Sequence, residues 1–384
     1  MKVCKQMIIT NVKVVQPHGT LEDATIEIEK EKITNVTKAH TTEADINGTG
    51  LLAIPGFIDI HIHGAAGKDA MDASHKALET IASALPQEGT TSFLATTMTQ
   101  SKEAISAALE SVATYPNKPG HAEIIGVHLE GPFCEKKKAG AQPLEHLIPP
   151  SIDLFKEWQE KANGLIKTIT LAPELDSNYN LIHYLNQQQI NVSAGHTDAS
   201  FEDIKAAVKE GVHQLTHLCN QMNGIHHRDV GAVGAAFLLD NIKAELIADG
   251  IHVSPEMVQL IFKNIGSERL ILITDSMRAK YLNDGTYDLG GQEVTVRGNH
   301  ATLSDGTLAG SMLKMIDGAR NMMHLAGASI HDIVRMASIN PAKQIGVYDR
   351  KGSIEIGKDA DILLLDKNYN IVYTICKGNI AYER

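Results

Sequence analysis

The stretch FIDIHIHG (57–64) is an apolar run that closes on two histidines, His61 and His63, and its pattern recurs along the chain. TTSFLATTM (90–98), EIIGVHLEG (123–131), IKTITLAPE (166–174), INVSAGH (190–196), HQLTHLCN (213–220), KAELIADG (243–250) and LILITDS (270–276) follow it. Between most of these runs lie helix-like stretches, such as 101–115 and 201–211. In the second of these, Ile204, Ala207, Val208 and Val212 fall on one face at helical spacing. Near-continuous apolar strands alternating with amphipathic helices mean parallel strands covered by helices. Eight such units over about 270 residues predict a (β/α)8 TIM-type barrel. The other fold of this kind is an open doubly wound sheet, but no glycine-rich dinucleotide turn follows the first strand.

The two ends of the chain have a different texture. IITNVKVV and ATIEIEKEKITNV near the start, and SIEIGKDADILLLD and YNIVYTICKGNIAY near the finish, are short alternating runs with turn residues between them. Small sheets need a partner face to bury, so the economical expectation is one small β-sandwich domain built from both ends. Its expected limits are 1–54 and 350–384, around a barrel of 55–349. GTYDLGGQ and VRGNHATLSDG, within 279–309, read as a hairpin-like insertion late in the barrel.

Composition narrows the function classes. The chain has 384 residues, 43% of them hydrophobic and 21% charged, which excludes disorder. Cys4, Cys134, Cys219 and Cys376 are scattered without a CxxC pair, which argues against a thiolate zinc finger or a disulfide scaffold. With 35 basic and 46 acidic residues the net charge is −11 and no basic stripe appears, so nucleic acid and anionic membranes are not expected partners. No apolar stretch approaches the ~20 residues that cross a bilayer, and the N-terminal run lacks a signal-peptide core. A cytoplasmic protein is expected. The Lys136-Lys137-Lys138 run reads as a solvated face.

The unusual residues collect at the ends of the predicted strands, where barrels of this kind build their active sites. The first strand ends in His61 and His63, the third in Glu130, the fifth in His196, the sixth in His217 and the eighth in Asp275, with His252 just beyond the seventh. Alternation sends residues two apart to one face, so His61 and His63 can grip one ion. An isolated HxH pair can also be an accident of packing; the joint pattern with Glu130, His196, His217 and Asp275 points to a metal. Histidines and carboxylates with an open position suit Zn2+ or Fe2+, with Mn2+ also compatible, and such an ion lowers the pKa of bound water from ~15.7 to near 7. Asp275 is the candidate general base and then general acid, with a helix N-cap as its structural alternative. The loop from Asn220 to Arg228, carrying His226 and His227, offers amide and guanidinium donors for a phosphate or carboxylate, or is simply solvated.

With PGFIDIHIHG (55–64), GVHLEGPF (126–133), SAGHTDA (193–199), THLCNQM (216–222), ADGIHVSP (248–255), TDSM (274–277) and LAGS (308–311) in order, the chain resembles the amidohydrolase superfamily. Within it, the resemblance is to the N-acetylglucosamine-6-phosphate deacetylase family. The resemblance implies metal ligation by Glu130, His196 and His217, with His61 and His63 forming a second site that Asp275 touches, so one or two divalent ions per subunit. It implies Asp275 as catalytic acid/base, and Asn220, Gln221, Arg228 and His252 as sugar-phosphate contacts. Gln142 stands where many members carry a histidine that polarises the acetyl carbonyl. Arg228 is implied to reach the neighbouring subunit's site in a homodimer. The implied reaction is hydrolysis of N-acetylglucosamine 6-phosphate to glucosamine 6-phosphate and acetate by metal-bound hydroxide, in amino-sugar catabolism and cell-wall amino-sugar recycling. Cyclic amidases of the superfamily use a carboxylated lysine as bridging ligand, and here Glu130 holds the carboxylate position. A silent scaffold would be expected to lose ligands, and a metal store would not need Asp275.

Overall fold

The eight apolar runs become eight strands of one parallel sheet in chain order. In a computed structural model that describes residues 6–38 and 44–384, they are Phe57–Ile62, Thr90–Thr96, Glu123–Glu130, Ile166–Leu171, Asn191–Ala194, Gln214–Leu215, Lys243–Ile247 and Leu270–Ile273. Cys4 lies outside the described residues. The last strand returns to the first: Asp275 N–H donates to His61 O at 2.8 Å, and Thr274 Oγ1 donates to Asp59 Oδ2 at 2.5 Å. This seam holds the strand ends that carry His61 and Asp275 against one another.

Helices follow from local chemistry. Ser101 Oγ accepts from Ala104 N–H at 3.2 Å and starts Lys102–Thr114. Ser200 and Asp203 form a capping box for Phe201–Glu210, which buries Ile204, Ala207 and Val208 and stops at Gly211, whose φ of 119° favours glycine. Ser254 with Pro255 at the first helical position starts Pro255–Ile265. Among the described residues, no helix is long and apolar enough to cross a membrane.

Both chain ends enter a second eight-stranded sheet, joined where Leu52–Pro55 pairs antiparallel with Ile362–Leu365. Its hydrogen bonding is one continuous ladder, yet Ile33 near one edge and Ile375 near the other share a core with Ile9, Ile26 and Leu364. The ladder therefore closes over itself to bury that core.

A buried ionic cluster fastens this sheet to the barrel. Lys351 Nζ lies 2.7 Å from Glu123, the first residue of the third barrel strand, 3.0 Å from Asp359 and 2.5 Å from Asp361. Removing one member of a buried charge network strands the others, so Lys351→Met is expected to cost about 3–5 kcal/mol of stability in denaturant titrations. The pH dependence has a definite sign. Burial pushes the Asp359 carboxyl up, but Lys351 and Lys32 outweigh it and bring it from 3.8 to about 2. That stabilisation is present above pH 3.8 and lost as pH falls toward 2. In Lys351→Met the acid loss begins at higher pH.

Candidate metal centre and active site

The strand ends bring six side chains to one point in the barrel mouth. Glu130, 2% exposed, faces four imidazoles: His196 and His217 Nε2 lie 3.2 Å from its Oε1, His61 Nε2 3.4 Å from the same atom, and His63 Nε2 3.3 Å from Oε2. Asp275 Oδ1 lies 3.3 Å from His63 Nε2 and 3.5 Å from His61 Nε2. Three groups of potential ligands result among the described residues: Glu130–His196–His217, His61–His63–Asp275 and His61–His128–Glu245, with Glu130 facing both of the first two sets. The backbone is bent to achieve this. His196, His217 and Asp275 have φ of 46°, 28° and 48°, a left-handed region that costs a non-glycine residue about 1–3 kcal/mol and clusters at functional sites. Asp275 is thus a strand-end residue and not a helix N-cap.

The donor set fits a metal. His61 Nε2 is buried without a hydrogen-bond partner, and His196 and His217 Nε2 approach each other to 3.1 Å. Two imidazole lone pairs that close are unfavourable unless a proton or cation lies between them. The outer nitrogens fix the tautomers: His196 Nδ1 donates to Lys138 O at 2.9 Å, and His61 Nδ1 faces Glu245 Oε2 at 2.9 Å. Without an ion, protons take its place. Burial lowers the His63 pKa, but Asp275 and Glu130 outweigh it and push it up to about 10.

Glu245 escaped the sequence reading. It accepts from His61 Nδ1, from His217 N–H at 3.1 Å and from Gln214 Nε2 at 2.6 Å, so one buried carboxylate orients two proposed ligands. Its signal was a charged residue inside the apolar run KAELIADG. Glu245→Gln is expected to lose metal affinity by about 10–100-fold, read as ions per subunit after dialysis, while its circular dichroism matches the parent. Unchanged metal content would show that Glu245 is only a packing group. His128, two residues before Glu130, is fully buried 4.5 Å from the His61 ring. Its nitrogens are engaged by Ile60 O at 3.1 Å and Thr170 Oγ1 at 2.7 Å, which leaves neither for a metal.

A narrow pocket of about 70 Å³ opens over the cluster, lined by Glu130, His196, His217, His63 and Asp275 and, further out, by Gln142, Asn220, Gln221 and His252. His252 Nδ1 lies 2.7 Å from Asp249 Oδ2; burial lowers its pKa, but the Asp249 carboxylate outweighs that and raises it. Gln142 lines the pocket. Its Nε2 donates one N–H to Glu130 Oε2 at 2.9 Å and its Oε1 accepts from Thr99 N–H at 3.0 Å, which leaves its second N–H uncommitted. Gly140 carries Gln221 across it, since a Cβ there would meet the Gln221 side chain at 2.8 Å. Arg228 stands apart, on an exposed loop with Nη1 2.7 Å from His227 Nε2 and outside this pocket. The 279–309 insertion is a three-stranded sheet, Gly285–Leu289, Gln292–Arg297 and His300–Thr302. Leu289 walls the pocket, and Gln292 Nε2 donates to Ala141 O at 2.5 Å.

Residues 52–381 match the model of the amidohydrolase family. This chain belongs to the amidohydrolase family. An N-acetylglucosamine-6-phosphate deacetylase of Bacillus subtilis is 47% identical over 99% of this amidohydrolase and 98% of its own length. An N-acetylgalactosamine-6-phosphate deacetylase of Escherichia coli O157:H7 is 36% identical over 86% of this chain and 88% of its own. Among solved structures, the N-acetylglucosamine-6-phosphate deacetylase of Thermotoga maritima superposes with a TM-score of 0.89 at 37% identity, over 98% of this chain and all (100%) of that one. A mutant N-acetyl-D-glucosamine-6-phosphate deacetylase of Mycobacterium smegmatis, in complex with N-acetyl-D-glucosamine-6-phosphate, gives 0.91 at 26% identity over 98% and 99%.

Proposed function

We propose that this amidohydrolase removes the acetyl group of N-acetylglucosamine 6-phosphate, giving glucosamine 6-phosphate and acetate. The observation that carries the reading is the convergence of four imidazole Nε2 atoms and Asp275 on Glu130 beneath a narrow pocket. Glu130, His196 and His217 would hold one divalent ion, and His61, His63 and Asp275 a second, with Zn2+ or Fe2+ the best match to the donors. A bound ion supplies Lewis acidity to the amide carbonyl and acidifies water enough for it to attack at neutral pH. Asp275 Oδ1 faces the imidazoles, which leaves Oδ2 to take the proton of the attacking water and pass it to the departing amine nitrogen. Asn220, Gln221 and the cationic form of His252 would orient the sugar phosphate.

Arg228 would act in the site of a second copy, as a homodimer requires. Ile225 at 47%, Leu238 at 63% and Leu260 at 43% exposure offer apolar surface on the same loop and the two helices after it, which such a copy would cover. Arg228→Ala is expected to raise KM for the phosphorylated sugar by roughly tenfold or more with kcat little changed. Acetate release is the decisive assay, run on N-acetylglucosamine 6-phosphate, its galacto epimer and the unphosphorylated sugar. The phosphorylated gluco sugar should be turned over best. Equal rates on the unphosphorylated sugar would refute the phosphate-binding part, and no acetate from any of the three would refute the function.

A further inference from the structure

The opposite, N-terminal mouth of the barrel holds a hollow of about 310 Å³. It lies where the fifth and seventh strands begin, at Asn191 and Lys243, whereas the proposed metal ligands sit at the other ends of the strands. Lys243 is half-buried in it and Lys343 stands at its rim, and no carboxylate among the described residues lines it. The buried lysines elsewhere are paired: Lys280 with Glu88 at 2.9 Å, Lys351 with Asp361 at 2.5 Å and Lys358 with Glu355 at 3.2 Å. Lys243 has no carboxylate partner among the described residues. Burial and the Lys343 charge together lower its pKa.

Several of the other polar groups in the hollow bond to one another or inward, whereas the Gln189 and Asn241 amides also line it. Gln344 Nε2 donates to Asn191 Oδ1 at 2.7 Å, Asn191 Nδ2 to Gln214 Oε1 at 3.0 Å, and Gln214 Nε2 to Glu245 Oε1 at 2.6 Å. Glu245 can only accept, so it fixes the direction of the whole chain and turns one N–H of each amide inward. His213 faces Asn186 Oδ1 at 2.9 Å, and burial and Lys243 lower its pKa, so it brings no third charge. Lys343 Nζ stands 4.9 Å over the Tyr348 ring, a contact that uses none of its N–H groups in a hydrogen bond to oxygen. Lys243 and Lys343 are the two cationic donors that line the hollow. A half-buried ammonium beside a second, exposed one is costly unless an anion lies between the charges, and two positive charges match a phosphate dianion.

We propose that this hollow, between Lys243 and Lys343, is a second anion site that takes a phosphate group, free or at the end of a sugar phosphate. The volume leaves room for a sugar ring beside the phosphate. The site is independent of the deacetylase reading, because none of its residues lines the pocket over the metal ligands.

The test is hydrogen–deuterium exchange and thermal unfolding of the metal-loaded protein at constant ionic strength, with inorganic phosphate in one arm and glucosamine 6-phosphate in the other. Bound phosphate should slow exchange in residues 186–191 and 241–247 and raise Tm. In Lys343→Gln, a change at an exposed position, affinity should fall roughly tenfold, and in the Lys243→Gln/Lys343→Gln double variant the local protection should vanish. Without phosphate, the double variant should melt at or above the parent temperature, since the repulsion is gone. Protection by inorganic phosphate alone identifies the free ion as sufficient, and protection only by the sugar phosphate shows that the ring is also bound. No local protection by either compound, or protection that survives in the double variant, overturns the proposal.

Discussion

Asp275→Asn is expected to lower deacetylase turnover by about 10³–10⁴-fold while the protein stays folded and keeps the ion held by Glu130, His196 and His217. The carboxylate does two things an amide cannot: it accepts a proton, and it opposes the charge of His61 and His63. Burial pushes its pKa up, but those two imidazoles outweigh burial and hold it at about 2. It is therefore ionised throughout the neutral range, the form a proton acceptor needs. Asn is nearly isosteric, and the left-handed backbone at this position, φ 48°, suits Asn better than most residues. A folding defect is thus not the expected cause of the loss. Single-turnover acetate release and metal analysis on one preparation separate the two roles. Retained metal with lost turnover supports proton transfer by Asp275, and near-parent turnover would end that assignment.

The barrel was readable because each strand is short, apolar and followed by its own helix, so local pattern and final architecture agree. The proposed ligands were readable for a related reason. A histidine or carboxylate that terminates an apolar strand has few structural uses, and six of them at corresponding positions have one common explanation. What local pattern could not supply was partnership across the barrel. Glu245 sits 184 residues from His61 in sequence, and nothing near it says that its carboxylate meets an imidazole. Gln142 lies in the pocket wall, but its contact with Glu130 was not legible, because an amide has several partners open to it until the fold chooses one. His128 shows the reverse limit. It is one residue from Leu129 and two from Glu130, yet Thr170 and a backbone carbonyl use both its nitrogens. Arg228 was placed by resemblance alone, and its guanidinium Nη1 lies 2.7 Å from His227 Nε2 in its own loop.

Glu130→Gln tests the centre of the arrangement, and its expected effect is broader than that of Asp275→Asn because both ligand sets depend on this residue. The substitution keeps the shape and removes the one negative charge that four imidazole Nε2 atoms face. In the ion-free protein His61 and His63 are buried, which lowers their affinity for protons, and Glu130 and Asp275 more than reverse this. Without Glu130 that compensation falls to Asp275 and, for His61, also Glu245, and each buried imidazole must give up its proton or remain poorly paired. The Gln142 amide, which donates to Glu130 Oε2 at 2.9 Å, would then face either another amide nitrogen or a neutral carbonyl. Metal affinity should fall at both sets, so that ions per subunit drop from the expected one to two to well below one. Losing the Lewis acid removes several kcal/mol of transition-state stabilisation, or about 10³-fold or more in turnover. The two variants should therefore part on metal content: Asp275→Asn keeps an ion and loses chemistry, whereas Glu130→Gln loses both. If Glu130→Gln retained the parent's metal content and rate, Glu130 would not join the two ligand sets, and the active centre would have to be rebuilt around His61, His63 and Asp275 alone.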